Sequence, residues 1–291
     1  MTTKAFPGKS LSLTYYWVRH GETEANRDGI LQGHSDFPLT ENGKEGAIKT
    51  GVFLSKVKFD HMYTSDLGRA TTTASLILRE NYHFMAQQQD QSERSFIANT
   101  DGNDNDSIRL KTVSLIRELY FGVKENMPKN CSWEQAAERV AQKRGISIEE
   151  ALQDNEEPFE SLFKRTQEFL DLCKEDVMKS LKDSANSADL RIEQNILCVS
   201  HSGFISNFLR TLSHYGILNR EFSLQNKVKN CSCSCIRLEY TTPDLERPDI
   251  FINDSVVNLH EHLTQLEENR QCWPILDPDT VETSLRDASA S

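Results

Sequence analysis

Two short apolar runs far apart in the chain end in the same way, and this repetition constrains the fold more than any other feature. Leu11 to Val18 is rich in aromatic and aliphatic residues and lies between Pro7-Gly8 and Gly21, which predicts a buried strand. Its end delivers Arg19-His20-Gly21. Asn195 to Ser200 predicts a second buried strand; it delivers His201-Ser202-Gly203 and gives way to a helix reaching about Ser213. A strand, a tight turn and a helix, met more than once, predict parallel pairing with helices over both faces of the sheet.

The remaining chain follows the same grammar. Thr40 reads as the N-cap of a helix from Glu41 to Lys56, with Ala47, Ile48, Gly51, Val52 and Leu54 on its apolar face. His61 to Thr64 predicts a short strand, and Asp66 opens a helix through Arg69, Ala70, Ala74, Ile77 and Leu78 that stops near Asn81. A strand at Thr112 to Ile116 precedes helical patterns over Ser132 to Arg144, Ser147 to Gln153 and Pro158 to Leu181. Late strands are expected at Cys231 to Tyr240 and Ile250 to Val257, then a short amphipathic helix near Leu259 to Leu266.

The expected fold is a three-layer α/β/α domain with a mostly parallel central sheet, spanning residues 11–270. It carries a polar insertion at 87–107, a helical excursion at 123–181 and a polar link from Lys182 to Ala188, with flexible ends at 1–10 and 271–291.

Charge narrows the partners. The chain has 33 basic and 44 acidic residues, a net charge of −11; the summed field repels phosphates, which argues against nucleic acid or an anionic membrane as partner. An anionic ligand therefore needs a locally basic pocket. The seven cysteines are odd in number and form no CxxC pair, as expected in a reducing compartment. Met1 to Ser10 lacks the apolar core of a signal peptide and no run reaches transmembrane length, so a cytoplasmic protein without membrane insertion is expected.

Four segments carry side chains suited to anion chemistry. Ligands of open α/β sheets bind beyond the carboxyl ends of strands, where His20 and His201 fall. Arg19 offers a fork of donors for phosphate, and a neutral imidazole is a competent nucleophile. Ser202 and Gly203 open a helix, whose N-terminus suits an anion. Arg69 falls in the first turn of a helix, where a cation opposes the helix dipole, so its presence there calls for an explanation such as phosphate binding. Glu118 follows a strand on the same edge and offers a carboxyl for proton transfer. Taken alone, His201 reads equally well as an ordinary turn histidine, while Arg19-His20-Gly21 and Glu118 read more readily as a strand-end histidine with a surface cation and as a solvated carboxylate.

Cys231, Cys233 and Cys235 alternate along a strand, which lines the thiols up on one face, unlike a tetrahedral metal clamp. They are expected as small core residues. His260 and His262, two apart, do not share a helix face. No Walker or dinucleotide fingerprint occurs.

Taken together the segments resemble the histidine phosphatase superfamily in its phosphoglycerate mutase branch. The blocks occur in order: Arg19-His20-Gly21-Glu22-Thr23 with Asn26, Gln32-Gly33, Pro38-Leu39-Thr40-Glu41-Asn42-Gly43, Ser65-Asp66-Leu67 with Arg69-Ala70, Arg117-Glu118 with Gly122, Glu160-Ser161 with Arg165, and Ser200-His201-Ser202-Gly203. They span about residues 13–266.

The resemblance implies a phosphomonoesterase with His20 as nucleophile, a phosphohistidine intermediate and Glu118 as general acid. It implies that Arg19, Arg69 and His201 hold the phosphoryl oxygens, that Asn26, Gln32, Gly33, Ser202 and Gly203 line the phosphate end, and that neither metal nor cofactor is needed. The substrate would be a small phosphorylated sugar or glycerate.

Within the branch, Gly51-Val52-Phe53-Leu54 with Val57-Lys58-Phe59, Ser65-Asp66-Leu67 with Arg69, and the late Asn258-Leu259-His260-Glu261-His262-Leu263 make the chain look most like the TIGAR-type fructose-2,6-bisphosphatases, which implies hydrolysis of the 2-phosphate of fructose 2,6-bisphosphate and a regulatory role in glycolysis. A broad sugar-phosphate or bisphosphoglycerate phosphatase and a phosphoglycerate mutase are the nearer alternatives. A catalytically silent phosphate-binding or interaction module is the alternative of a different class. The chain departs from the pattern at Gln87 to Ser107, at Leu119-Tyr120-Phe121 and before Glu160-Ser161, where a Gly-Gly is missing.

Overall fold

The computed structural model describes residues 10–88, 110–182, 191–214, 228–240, 256–259 and 263. Strand β1 (Ser10–Arg19) is buried on both faces, with Leu11, Leu13, Tyr15 and Trp17 packed to one side and Val18 to the other. A strand this rich in buried aliphatic and aromatic residues belongs inside a sheet, and β1 is paired on both edges. Helices α1 (Glu24–Arg27) and α2 (Glu41–Phe53), strand β2 (His61–Ser65), helix α3 (Gly68–Gln88) and strand β3 (Leu110–Val113) follow. Helices α4 (Trp133–Arg144), α5 (Ile148–Ala151) and α6 (Phe159–Lys182) precede strand β4 (Arg191–Ser200), helix α7 (Ser202–His214), and strands β5 (Cys233–Tyr240) and β6 (Val256–Leu259).

The six strands lie in the order β3-β2-β4-β1-β5-β6. Contacts of β4 with β1 and β2, and of β2 with β3, are parallel, and β5 alone runs against the rest. Arg19 therefore lies beside Ser200, and Thr64 beside Val199. The loops after four parallel strands leave from one edge.

Helices cover both faces, which completes the expected three layers. On one side Phe169, Cys173 and Val177 of α6 and Phe204, Ile205 and Phe208 of α7 pack on Tyr15 and Trp17. On the other, Ala47 of α2 and Ala70, Ala74 and Ile77 of α3 pack on Val18, Leu197 and Val199. Gly51 lets α2 and α3 approach closely, since a Cβ there would stand 2.6 Å from the Ile77 carbonyl. Each large side chain buried in these layers contributes about 1.5–3 kcal/mol. A small third core, with Val123, Cys131, Ala136, Ala137 and Ala141, holds the α4 region together.

Boundaries differ from the sequence expectations in ways that have local causes. Thr40 caps α2 by accepting from the Gly43 amide at 3.0 Å, but the helix ends at Phe53 rather than Lys56. Helix α3 starts at Gly68, because Asp66 is held by Arg117 instead of capping, and it runs to Gln88, past Asn81 and into the expected insertion. The strand expected at Thr112 to Ile116 is β3 at 110–113 with a 3-10 turn over Ser114–Ile116. Its partner β2 stops at Ser65, so there is nothing to pair with beyond Val113.

Helix α5 ends at Ala151, short of Gln153, and β4 begins at Arg191, ahead of Asn195. Strand β5 begins at Cys233, since Cys231 has φ 58° in the preceding turn. Leu259 ends β6 instead of opening a helix. The expectations for 1–9, 89–107, 183–188, 250–255, 260–262, 264–266 and the tail from 271 lie outside the described residues. Among the described residues the six cysteines are unbridged and no helix is long and apolar enough to cross a membrane.

Candidate active site

His20 continues the β1–β4 pairing one residue beyond the strand, its amide donating to the Ser200 carbonyl at 2.9 Å. The side chain is 2% exposed. Its Nδ1 lies 2.8 Å from the Gly21 carbonyl; a carbonyl only accepts, so Nδ1 carries the proton and Nε2 keeps a free lone pair. Asn230 donates to the His20 carbonyl at 2.9 Å, and the Gly21 amide donates to Thr73 Oγ1 at 2.9 Å. A Cβ on Gly21 would collide with the Gly43 backbone, so glycine is required where this turn meets α2.

The His201 ring faces His20, with centroids 5.1 Å apart and planes 56° apart. Burial, then the Arg19 and Arg69 cations, hold His20 well below its usual range. Burial, then Arg69, His20 and Arg19, do the same to His201. Both rings are therefore neutral near pH 7, the form in which Nε2 of His20 can attack phosphorus.

Two buried arginines flank the rings. Arg69 stands in the first turn of α3, 1% exposed, and donates to the carbonyls of Ser35 and Gly33, each at 2.7 Å. Asp36 resolves the conflict with the helix dipole: its carboxylate accepts from the amides of Gly68 and Arg69 and lies 3.3 Å from Arg69 Nη1. Arg19 donates to the Val228 carbonyl at 2.7 Å. Among the described residues, Nε of both arginines and both ring nitrogens of His201 are buried without a hydrogen-bond partner. An unpaired buried polar group costs about 1–3 kcal/mol. A phosphoryl group, with three oxygen acceptors, is matched to the donors among these atoms.

Glu118 lies two residues past the 3-10 turn. Its carboxylate accepts from its neighbour Leu119 N at 3.0 Å and from Gly203 N at 3.3 Å. Gly203 leaves room for that carboxylate, since a Cβ would stand nearer than van der Waals contact to it and to the end of the Leu119 side chain. From α6, Arg165 donates to the carbonyls of Leu115 at 2.6 Å, Arg117 at 3.2 Å and Glu118 at 3.5 Å. It also forks onto Glu157 at 2.8 and 2.6 Å. Arg117 forks onto Asp66. The Glu118 loop is thus pinned to α6 and to the segment just before α3.

The structure brings His20, His201, Arg19, Arg69 and Glu118 to one edge of the sheet. Asn26 Oδ1 accepts from Asn230 at 3.0 Å and Gln32 Oε1 accepts from Thr23 at 2.9 Å. With both amide oxygens engaged, each residue has its NH2 to offer an anion. Gly33, at φ 55°, contributes its carbonyl to Arg69; Ser202 Oγ donates to Val228 at 3.4 Å; Gly203 N donates to Glu118. Gly33 thus holds Arg69, Gly203 holds the Glu118 carboxyl, and Ser202 shares the Val228 carbonyl with Arg19.

Thr73, Asn230, Asp36 and Val228 escaped the sequence reading. Thr73 left one trace, a polar residue within the apolar stripe of Ala70, Ala74 and Ile77. The other three join the site only through long-range folding and left none.

The model of the histidine phosphatase superfamily, branch 1, matches residues 15–106 and 97–250. The chain is 28% identical over 212 residues to fructose-2,6-bisphosphatase TIGAR B of Danio rerio, covering 67% of this chain and 72% of the relative. It is 26% identical over 246 residues to a broad-specificity phosphatase of Saccharomyces cerevisiae, covering 81% and 89%. A phosphoglycerate mutase structure from Bacillus anthracis has the same fold, with TM-score 0.58 at 24% identity over 89% of this chain and 98% of that one.

Proposed function

The chain belongs to branch 1 of the histidine phosphatase superfamily, and on that premise we propose that it is a phosphomonoesterase working through a phosphohistidine at His20. The observation that carries the reading is the geometry of the His20 ring, its Nδ1 2.8 Å from the Gly21 carbonyl and the ring held beside His201 and two buried arginines with unpaired Nε donors.

Nε2 of His20 attacks phosphorus, the bond from phosphorus to the ester oxygen breaks, and Glu118 gives its proton to the departing alkoxide. Water then attacks the phosphohistidine, the phosphorus–nitrogen bond breaks, and Glu118 takes the water's proton. Arg19, Arg69 and His201 stabilise the charge spread over the phosphoryl oxygens in both steps. Asn26 and Gln32 add amide donors.

The leading substrate is fructose 2,6-bisphosphate, cleaved at the 2-phosphate, which would make the protein a regulator of glycolysis. The Danio rerio relative supports this choice. A broader action on phosphorylated sugars or glycerates is the second reading, favoured by the longer match to the yeast enzyme. A mutase would differ only in passing the phosphoryl group to a second acceptor instead of water.

The test is a panel of phosphorylated sugars and glycerates assayed for phosphate release and for phosphoglycerate isomerisation, with trapping of acid-labile phosphoenzyme. Hydrolysis of fructose 2,6-bisphosphate with label on His20, lost in His20→Ala, is the expected result. Fast turnover of another ester while this one is ignored overturns the substrate. An unlabelled protein that still releases phosphate overturns the mechanism.

A further inference from the structure

His34 follows the Gln32-Gly33 block and takes no part in the phosphoryl transfer described above. Its Nε2 lies 3.1 Å from the main-chain carbonyl of Glu118. Because a carbonyl only accepts, Nε2 is the donor. The ring is half-buried and stands 5.3 Å from the Tyr120 ring, tilted by 51°, so it is packed as well as hydrogen-bonded. Its own loop is fastened independently: the His34 amide donates to Glu125 at 2.7 Å, and the Ser35 amide and hydroxyl donate to the same carboxylate at 3.1 and 3.0 Å. The next residues, Ser35 and Asp36, hold Arg69.

We propose that His34 is a positioning residue for the general acid, tying the Glu118 peptide to the loop that anchors Arg69. This rests on the phosphohistidine reading above. The Glu118 carbonyl has two side-chain donors, His34 at 3.1 Å and Arg165 at 3.5 Å. The histidine bond is the better one, and it comes from the loop that holds Arg69, whereas Arg165 comes from α6. The carboxylate itself is held by two amides, one of them its neighbour's, so the direction of the side chain depends on where this peptide sits. His34 thus links the group that protonates the leaving oxygen to the group that binds the phosphoryl oxygens, and fixes the distance between them.

Loss of the link leaves the phosphoryl cup intact and blurs the aim of Glu118. The defect should scale with how much a leaving group needs a proton. His34→Ala should lower kcat/KM about tenfold for the best alkyl phosphate of the panel, since a small misplacement of a catalytic group costs one to two orders of magnitude. For p-nitrophenyl phosphate, whose phenolate leaves unaided, it should change kcat/KM by less than about twofold. His34→Gln keeps an N–H donor at similar reach and should restore most of the alkyl rate. Equal losses on both esters, no loss on either, or no rescue by glutamine would overturn the role of His34. If the unsubstituted protein carries no label on His20 with either ester, the phosphohistidine reading itself falls and this inference with it.

Discussion

Gly203→Ala separates folding from catalysis at a single atom. Gly203 is the second residue of α7, and an alanine there is better for the helix by about 0.5–1 kcal/mol. The added Cβ meets the Glu118 carboxylate and the end of the Leu119 side chain, both nearer than van der Waals contact, so the carboxylate has to retreat by about 1 Å. These are side-chain ends, and Glu118 is half-buried, so the retreat is cheap for the fold. It loses the 3.3 Å bond to Gly203 N, worth about 0.5–1.5 kcal/mol, which water partly replaces. Net stability should change by no more than about 1 kcal/mol.

The reaction should respond far more. A displacement of about 1 Å costs up to roughly 100-fold, or about 2.7 kcal/mol of barrier. The assay is kcat/KM across a series of phosphate esters of rising leaving-group pKa, beside urea unfolding. Losses should grow along the series, from small for nitrophenyl to large for alkyl esters. A variant that matches the parent on alkyl esters would refute the placement of Glu118 as acid. So would a loss of equal size on every ester.

Two further outcomes follow from the same geometry. Thr73→Val removes the acceptor of the Gly21 amide and leaves that buried N–H unpaired; urea unfolding should show a loss of about 1–3 kcal/mol, while Thr73→Ser stays within about 1 kcal/mol of the parent, and a fully stable valine variant would show that Thr73 does not anchor the turn. Acid should also destabilise the fold through His20 and His201: burial, with the nearby arginines, depresses both below the ordinary 6.5 in the folded state, so below that pH the unfolded chain binds protons the folded one refuses. The stability is whole above pH 6.5 and is lost as pH falls toward the depressed values, by about 1 kcal/mol per ring between pH 6.5 and 5.5. A double His20→Ala, His201→Ala variant with the parent's pH slope over that window would contradict this.

Much of the fold and part of the site are legible in the sequence. Leu11 to Val18 and Asn195 to Ser200 read as strands because they are short, rich in aromatic and aliphatic residues and followed at once by turn residues, and each points a histidine beyond the same edge. The cap at Thr40 and the loops after Ser65 and Ile116 were legible for similarly local reasons. Less legible were the ends of β3 and α3, which depend on where a partner strand stops and on which charge captures Asp66.

What the sequence determined by itself is the layered α/β plan and the set of reactive groups, because strand periodicity, turn chemistry and residue type are properties of short stretches. What only the tertiary structure decided is how those groups are aimed. The tautomer of His20 is set by the carbonyl of Gly21, the reach of Arg69 by Gly33, Ser35 and Asp36, and the seat of Glu118 by Gly203, Arg165 and His34. Most of these bonds join segments distant in the chain, and no local pattern encodes a distance between them; it is fixed only when the sheet closes and buries both partners together.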